Sequence, residues 1–139
     1  MSNSSYSSQE IIRLLFTSEA LAPRPASWFV GLHTGDPGID GSANELTTAT
    51  DPNYERTAVT WEESVVTDLT RVANDAEVAF PASGAAGSYT IQFITIWDAD
   101  TAGNCLARLP LVPERAVAPA GITRFPIGEI IIEGGINDD

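Results

Sequence analysis

Short runs in which apolar and polar residues alternate recur along most of the chain. Residues 28–32 and 57–61 have this pattern, and residues 89–98 form the longest run. A period of two places successive side chains on opposite faces of a strand, and β-branched and aromatic residues favour strands. Turn-forming residues separate the runs, as in the Asp-Pro-Gly sequence at 36–38. The pattern predicts an all-β fold, an antiparallel β-sandwich of jelly-roll type.

The longest run carries apolar residues on both faces. Tyr89, Ile91 and Phe93 share one parity, whereas Ile94 and Ile96 have the other. A regular strand with one solvent-exposed face would not show this mixture. The run therefore predicts a strand that is covered on both sides, or one that contains a bulge near residues 93 and 94.

Near the N-terminus the apolar residues have helical spacing instead. Residues 11–16 are apolar apart from one arginine, and Ser7 and Glu10 have the spacing of a capping box. We predict a short helix over residues 7–18, at the start of a single domain over residues 7–139. A helix of about three turns is marginal by itself, so its apolar face must dock on the sheet or on another subunit.

Four residues are candidates for contacts with a partner. Residues 1–6 are short and polar, and we predict that they form a flexible arm. Tyr6 at the end of this arm could anchor it to a neighbour, and a disordered tail is the alternative. Ile11 and Leu15 lie on the apolar helix face, and Ile131 lies in a run of three isoleucines. Such a run implies burial on both faces of a strand or contact with a neighbouring subunit.

Composition excludes several classes of partner. The 139 residues include seven arginines and no lysine, and the formal net charge is −12. A chain this acidic repels phosphate groups, so we expect neither nucleic acid nor an anionic membrane as a partner. No apolar run approaches the roughly 20 residues needed to cross a bilayer, and no secretory signal is visible.

The sequence contains few of the residue patterns that carry catalysis. His33 is the single histidine, and at a strand-to-loop corner we expect it to bond to backbone groups. No serine has the context of a nucleophile elbow. Glu62 and Glu63 would point to opposite faces of a strand, and the lone Cys105 excludes an intrachain disulfide. We therefore predict a non-enzymatic protein without a cofactor.

An acidic loop at residues 36–53 leaves one metal hypothesis open. It contains Asp36, Asp40, Glu45 and Asp51, and calcium prefers oxygen ligands of this kind. Their spacing does not match an EF-hand loop. The alternative is that aspartate forms turns here without metal.

Several short motifs extend through nearly the whole chain. They are Leu-His-Thr-x-Asp-Pro-Gly at 32–38, Asn-Glu at 44–45, Tyr-x-Arg-x-Ala-Val-Thr at 54–60, Ile-Trp-Asp-Ala at 96–99 and Gly-Glu-Ile-Ile-Ile at 128–132. In this order they resemble a family of small structural proteins of tailed bacteriophages. Members of that family are usually labelled tail-fibre-like or capsid-associated.

The resemblance implies a virion structural protein that is assembled in the host cytoplasm. Its expected partners are further copies of itself, with a trimer as the expected state, and the major capsid protein or another virion protein. The leading hypothesis is a decoration or cement protein on the capsid, because one compact domain lacks the long repetitive shaft of a fibre. The alternative is a tail-tip or fibre-associated module that recognises a host glycan. That alternative requires partly exposed tryptophans at positions 28, 61 and 97, whereas their strand patterns favour the core.

Overall fold

The described part of the chain forms antiparallel β-sheets and one short helix near its start. The computed structural model describes residues 2–66 and 69–134. The elements in these ranges are β1 (Ser2–Asn3), α1 (Ser5–Phe16), β2 (Trp28–His33), β3 (Thr57–Val59), β4 (Trp61–Val66), β5 (Leu69–Asn74), β6 (Val78–Ala79), β7 (Tyr89–Trp97), β8 (Cys105–Val117), β9 (Arg124–Phe125) and β10 (Ile131–Gly134). The predicted all-β sandwich with an N-terminal helix is confirmed.

Three sheets make up the fold. The largest has five strands in the order β1-β8-β7-β2-β3, and the others have the orders β10-β5-β4 and β6-β9. All of these pairs are antiparallel. β7 lies at the centre of the largest sheet, between β8 and β2, and its residues 94–97 are buried on both faces.

The pairing of β7 with β8 is irregular near the predicted bulge. Ile91 pairs with Arg115, whereas Phe93 pairs with Pro110, so the extra residues at this register shift lie in β8. Ile91, Ile94 and Ile96 of β7 are at most 1% exposed and belong to the same buried cluster. The irregularity lies next to the predicted position, but β8 and not β7 carries the additional residues.

The core lies under the five-stranded sheet. The shorter strands and their loops contribute Val78, Phe80, Phe125 and Ile130 to the same buried cluster as β7. Phe80 and Phe125 meet edge to face, with ring centroids 6.3 Å apart. Ile130 is buried, whereas the next residue, Ile131, is half-buried in β10. The isoleucine run thus contributes directly to the core of its own chain.

The start of the chain differs from the predicted flexible arm at residues 1–6. Ser2 and Asn3 form β1, the edge strand of the five-stranded sheet, in register with Arg108 and Ala107 of β8. Ser4 follows and is buried, with a side-chain hydroxyl that donates to the backbone carbonyl of residue 105. Residues 2 and 3 are therefore paired with β8 and do not form the predicted flexible arm.

The helix also begins earlier than predicted. It spans Ser5–Phe16 instead of 7–18, and its N-cap is Ser4 instead of Ser7. Ser4 and Ser7 form a reciprocal capping box, each side-chain oxygen accepting from the backbone amide of the other at 3.1 Å. The hydroxyl of Ser7 also donates to the carbonyl of Leu106 at 2.7 Å. These bonds to β8 fix the start of the helix, and local sequence does not reveal them.

Candidate partner-binding surface

Helix α1 turns its polar side towards its own chain. Tyr6, Ser7, Glu10 and Arg13 are partly buried. Arg13 and Glu10 form an ion pair at 3.2 Å, and Glu10 also accepts from the backbone amide of Ala22 at 2.9 Å. The helix is thus held to the body of the protein mainly by hydrogen bonds.

The apolar side of the same helix faces away from the chain. Ile12, Leu15 and Phe16 are 54%, 64% and 75% exposed, and no residue of the helix is buried. A surface helix ordinarily orients its apolar stripe towards the core, so this orientation is the reverse of the usual one. We call these three side chains the ridge. In the part of the chain that the structure describes, no segment buries the ridge.

A groove lies between the helix and the extended connector that follows it. The groove encloses about 430 Å³. Pro23 and Pro25 keep the connector extended, since proline restricts both itself and the residue before it. The apolar side chains that line the groove are Tyr6, Ile11, Leu14, Leu21, Trp28 and Leu106.

Three of the four predicted contact residues lie on helix α1. Tyr6 and Ile11 line the groove, and Leu15 belongs to the ridge. Ile131 lies in the three-stranded sheet and does not line the groove. Phe16, the most exposed large hydrophobic side chain of the helix, was not among the predicted contact residues. Phe16 is the last residue of the apolar run at 11–16, and this position could have indicated it as a contact residue.

The acidic residue Glu45 is bound within the chain. Arg56 donates to both of its carboxylate oxygens, at 2.8 and 2.9 Å, and Tyr54 donates to it at 2.6 Å. The guanidinium of Arg56 also lies 3.8 Å from the centre of the Trp97 ring. Burial raises the pKa of Glu45, but the hydrogen bonds from Arg56 and Tyr54 outweigh it and lower that pKa overall. Desolvation and the same carboxylate raise the pKa of Tyr54.

His33 belongs to a chain of hydrogen bonds next to this ion pair. Its Nδ1 lies 2.8 Å from the carbonyl of Ala43, and a carbonyl can only accept, so Nδ1 carries the proton. Nε2 therefore accepts from the hydroxyl of Thr95 at 2.7 Å, and Thr95 accepts from the indole of Trp97 at 2.6 Å. Burial lowers the pKa of His33 and favours this neutral form. The predicted bond to a backbone group is confirmed.

The other carboxylates of the acidic loop also bond to nearby groups. Asp36 accepts from the amide of residue 38, and Asp40 accepts from the amide and hydroxyl of Ser42. Asp51 accepts from the hydroxyl of Tyr89 at 2.6 Å and is 2% exposed. Within residues 2–66 and 69–134, no group of three or more His, Cys, Asp or Glu residues could hold a metal ion.

The three tryptophans differ in exposure, and only Trp97 is buried. Trp97 is 5% exposed and packs against Arg56. Trp28 and Trp61 are half-buried and pack against the hydrophobic core. The partial exposure that glycan recognition would need is therefore missing at Trp97.

The described residues combine an antiparallel β-fold with a helix whose apolar side chains are exposed. The chain belongs to the family described as Podophage GP4 fiber I protein gp80, whose model matches residues 2–133. No curated protein matches the chain. The family makes the chain a bacteriophage virion structural protein, which is compatible with the predicted lack of enzymatic activity. Among the helices that the structure describes, none is long and apolar enough to cross a membrane.

Proposed function

We propose that the chain is a non-catalytic subunit of a bacteriophage fibre, joined to neighbouring subunits through helix α1 and the groove beside it. The family match carries this proposal, because it covers residues 2–133 and names a fibre protein. The exposed ridge supports it, since a virion subunit gains strength from weak contacts that symmetry repeats.

The fibre is a better-supported position than the capsid surface. The decoration or cement hypothesis rests on the size of the chain and on the absence of a repetitive shaft. Both properties also suit a short fibre that is built from several different proteins. The family description mentions a fibre and not a capsid protein, so it favours the tail side of the virion.

The proposal does not include glycan recognition by the tryptophans. The indole N–H of Trp97 donates a hydrogen bond to Thr95, and the guanidinium of Arg56 lies over its ring. A sugar therefore cannot stack on the face of the ring that Arg56 covers. The fibre subunit therefore acts as a connector in this proposal, and receptor binding would belong to another fibre component.

Purified virions allow a direct test of the proposed position. Quantitative mass spectrometry gives the copy number of the chain relative to the major capsid protein, and gold-labelled antibodies show where it lies. We expect a small fraction of the capsid copy number and label on the fibres. A copy number near that of the capsid protein, with label across the capsid surface, would establish decoration and overturn the proposal.

Phage mutants separate the role of the helix from the position of the chain. A phage that carries Leu15→Glu should yield particles with fewer fibres and unchanged capsid stability, because the charge lies on the ridge. The matched control is Ile127→Glu, a similar change at a side chain that is 70% exposed and lies outside the helix. Equal fibre loss in both mutants would contradict a role for the helix.

A further inference from the structure

The edge strand β4 of the three-stranded sheet is open to solvent. β4 (Trp61–Val66) pairs with β5 on one side, and its other edge has no strand partner in the described part of the chain. Residues 62–65 are all exposed. Since successive side chains of a strand point to opposite faces, both faces of β4 are open as well as its edge. The strand therefore offers a free backbone edge that is flanked by accessible side chains.

The free edge of β4 carries backbone groups that can bind another strand. Every second residue of an antiparallel edge strand turns its N–H and C=O away from the neighbouring strand. Half of the six residues of β4 therefore direct these groups outwards. Such a row of donors and acceptors is a template for a further strand. In peptide recognition by strand addition, main-chain hydrogen bonds supply affinity and side chains supply specificity.

Charge determines which strand can be added to this edge. Glu62 and Glu63 are exposed on opposite faces of β4, and neither has an ion-pair partner in the described part of the chain. Arg71 of the neighbouring strand β5 is bound to Glu133 of β10. An added strand therefore meets two uncompensated negative charges, one on each side of the sheet. These charges disfavour an acidic or uncharged strand and favour a basic one.

A second copy of the chain does not fit this edge. Full antiparallel overlap of two β4 strands would place Glu62 of one copy diagonal to Glu63 of the other on each face. Carboxylates at neighbouring cross-strand positions repel each other. The seven arginines are all isolated in the sequence and lysine is absent, so this chain contains no pair of consecutive basic residues. The complementary strand must therefore come from another protein.

We propose that the free edge of β4 pairs in antiparallel fashion with a strand of another virion protein, one that carries two consecutive basic residues. Because Glu62 and Glu63 are consecutive, the two positions that lie opposite them are consecutive as well. One basic side chain meets each carboxylate, and an apolar side chain lies opposite Val65, which is 69% exposed. This surface is separate from helix α1 and its groove, so the inference goes beyond the proposed function.

A synthetic strand provides the probe for this inference. The peptide acetyl-Thr-Val-Thr-Arg-Arg-Val-Thr-amide has the order of apolar and basic residues that antiparallel pairing requires. Nuclear magnetic resonance titration of the full chain should show shifts of the backbone amides of residues 61–66. Glu62→Gln combined with Glu63→Gln should weaken binding by about fivefold. The control, Glu19→Gln combined with Glu114→Gln, makes the same change in net charge at exposed side chains elsewhere and should weaken binding less than about twofold.

A second peptide separates strand pairing from simple charge attraction. A fully N-methylated version of the peptide keeps both arginines but cannot donate the hydrogen bonds of a strand. We expect this version to leave the amides of β4 unshifted. Equal binding of the two peptides, equal weakening by the two pairs of glutamine substitutions, or no binding of the unmethylated peptide at millimolar concentration would each overturn the inference. None of these results affects the particle measurements that test the proposed function.

Discussion

Replacing Arg56 by methionine tests how strongly the buried ion pair stabilises the fold. The Arg56 side chain is 8% exposed, and that of its partner Glu45 is 20% exposed. Methionine has a similar reach and preserves apolar packing against Trp97. The change therefore removes the charge and its hydrogen bonds while it leaves little empty volume.

The expected loss follows from what remains in the site. Removal of one member of a buried pair leaves an uncompensated charge and costs about 3–5 kcal/mol. Glu45 keeps the hydrogen bond from Tyr54, so we expect a value near the lower end, about 3 kcal/mol. For a chain of this size, 1 kcal/mol shifts the melting temperature by roughly 3–4 °C, so the midpoint should fall by about 10 °C.

Urea unfolding followed by circular dichroism measures this loss. The experiment is best repeated at several protein concentrations, because association of the folded state would make apparent stability depend on concentration. The matched control is Arg124→Met, which breaks an exposed pair with Glu77 and should cost less than about 1 kcal/mol. Equal losses in Arg56→Met and Arg124→Met would refute the reasoning.

Three further predictions concern residues of the five-stranded sheet and the ion pair between Glu45 and Arg56 beside it. Gly31→Ala should destabilise the fold by about 1–3 kcal/mol in thermal unfolding, because its Cβ would lie 2.8 Å from the hydroxyl of Thr95. Stability in urea should fall as pH drops below about 6.5, because burial lowers the pKa of folded His33 and the unfolded chain binds the proton first. It should fall again below about 4.3, since the pKa of Glu45 is also lowered in the folded chain. The thiol of Cys105, whose pKa is raised to about 11 by burial, should react with a thiol reagent only after urea unfolds the chain.

Each of these predictions has an outcome that would contradict it. An unchanged melting temperature in the alanine variant would mean that the sheet face has free space at residue 31. A stability that is flat between about pH 7 and pH 5 would show that His33 does not change its affinity for protons on folding, and one that is flat from about pH 5 to pH 2 would show the same for Glu45. Rapid modification of the folded chain would place the thiol at the surface.

The sequence predicted the parts of the fold that depend on local periodicity. Alternation over short runs identified the strands, and the mixed parity of β7 indicated an irregularity near residue 93. Both signals come from the side-chain period of a strand, which each run contains by itself. The strand order was not accessible, because β8 also pairs with β1 at the start of the chain and β7 pairs with the distant β2.

Features that depend on distant residues were missed or incomplete. The helix begins at Ser5 because Ser4 and Ser7 bond to carbonyls of β8, about 100 residues away in sequence. The apolar face of the helix was recognised, but its orientation away from the body of the protein was not. Glu45 was considered as a calcium ligand because its partner Arg56 could not be identified from sequence spacing.

Imaging of the intact particle at side-chain resolution tests the central claim most directly. We predict density for this chain within a fibre, with Ile12, Leu15 and Phe16 of helix α1 buried against a neighbouring subunit. A chain on the capsid surface, or one whose helix remains open to solvent in the assembled particle, would contradict the account.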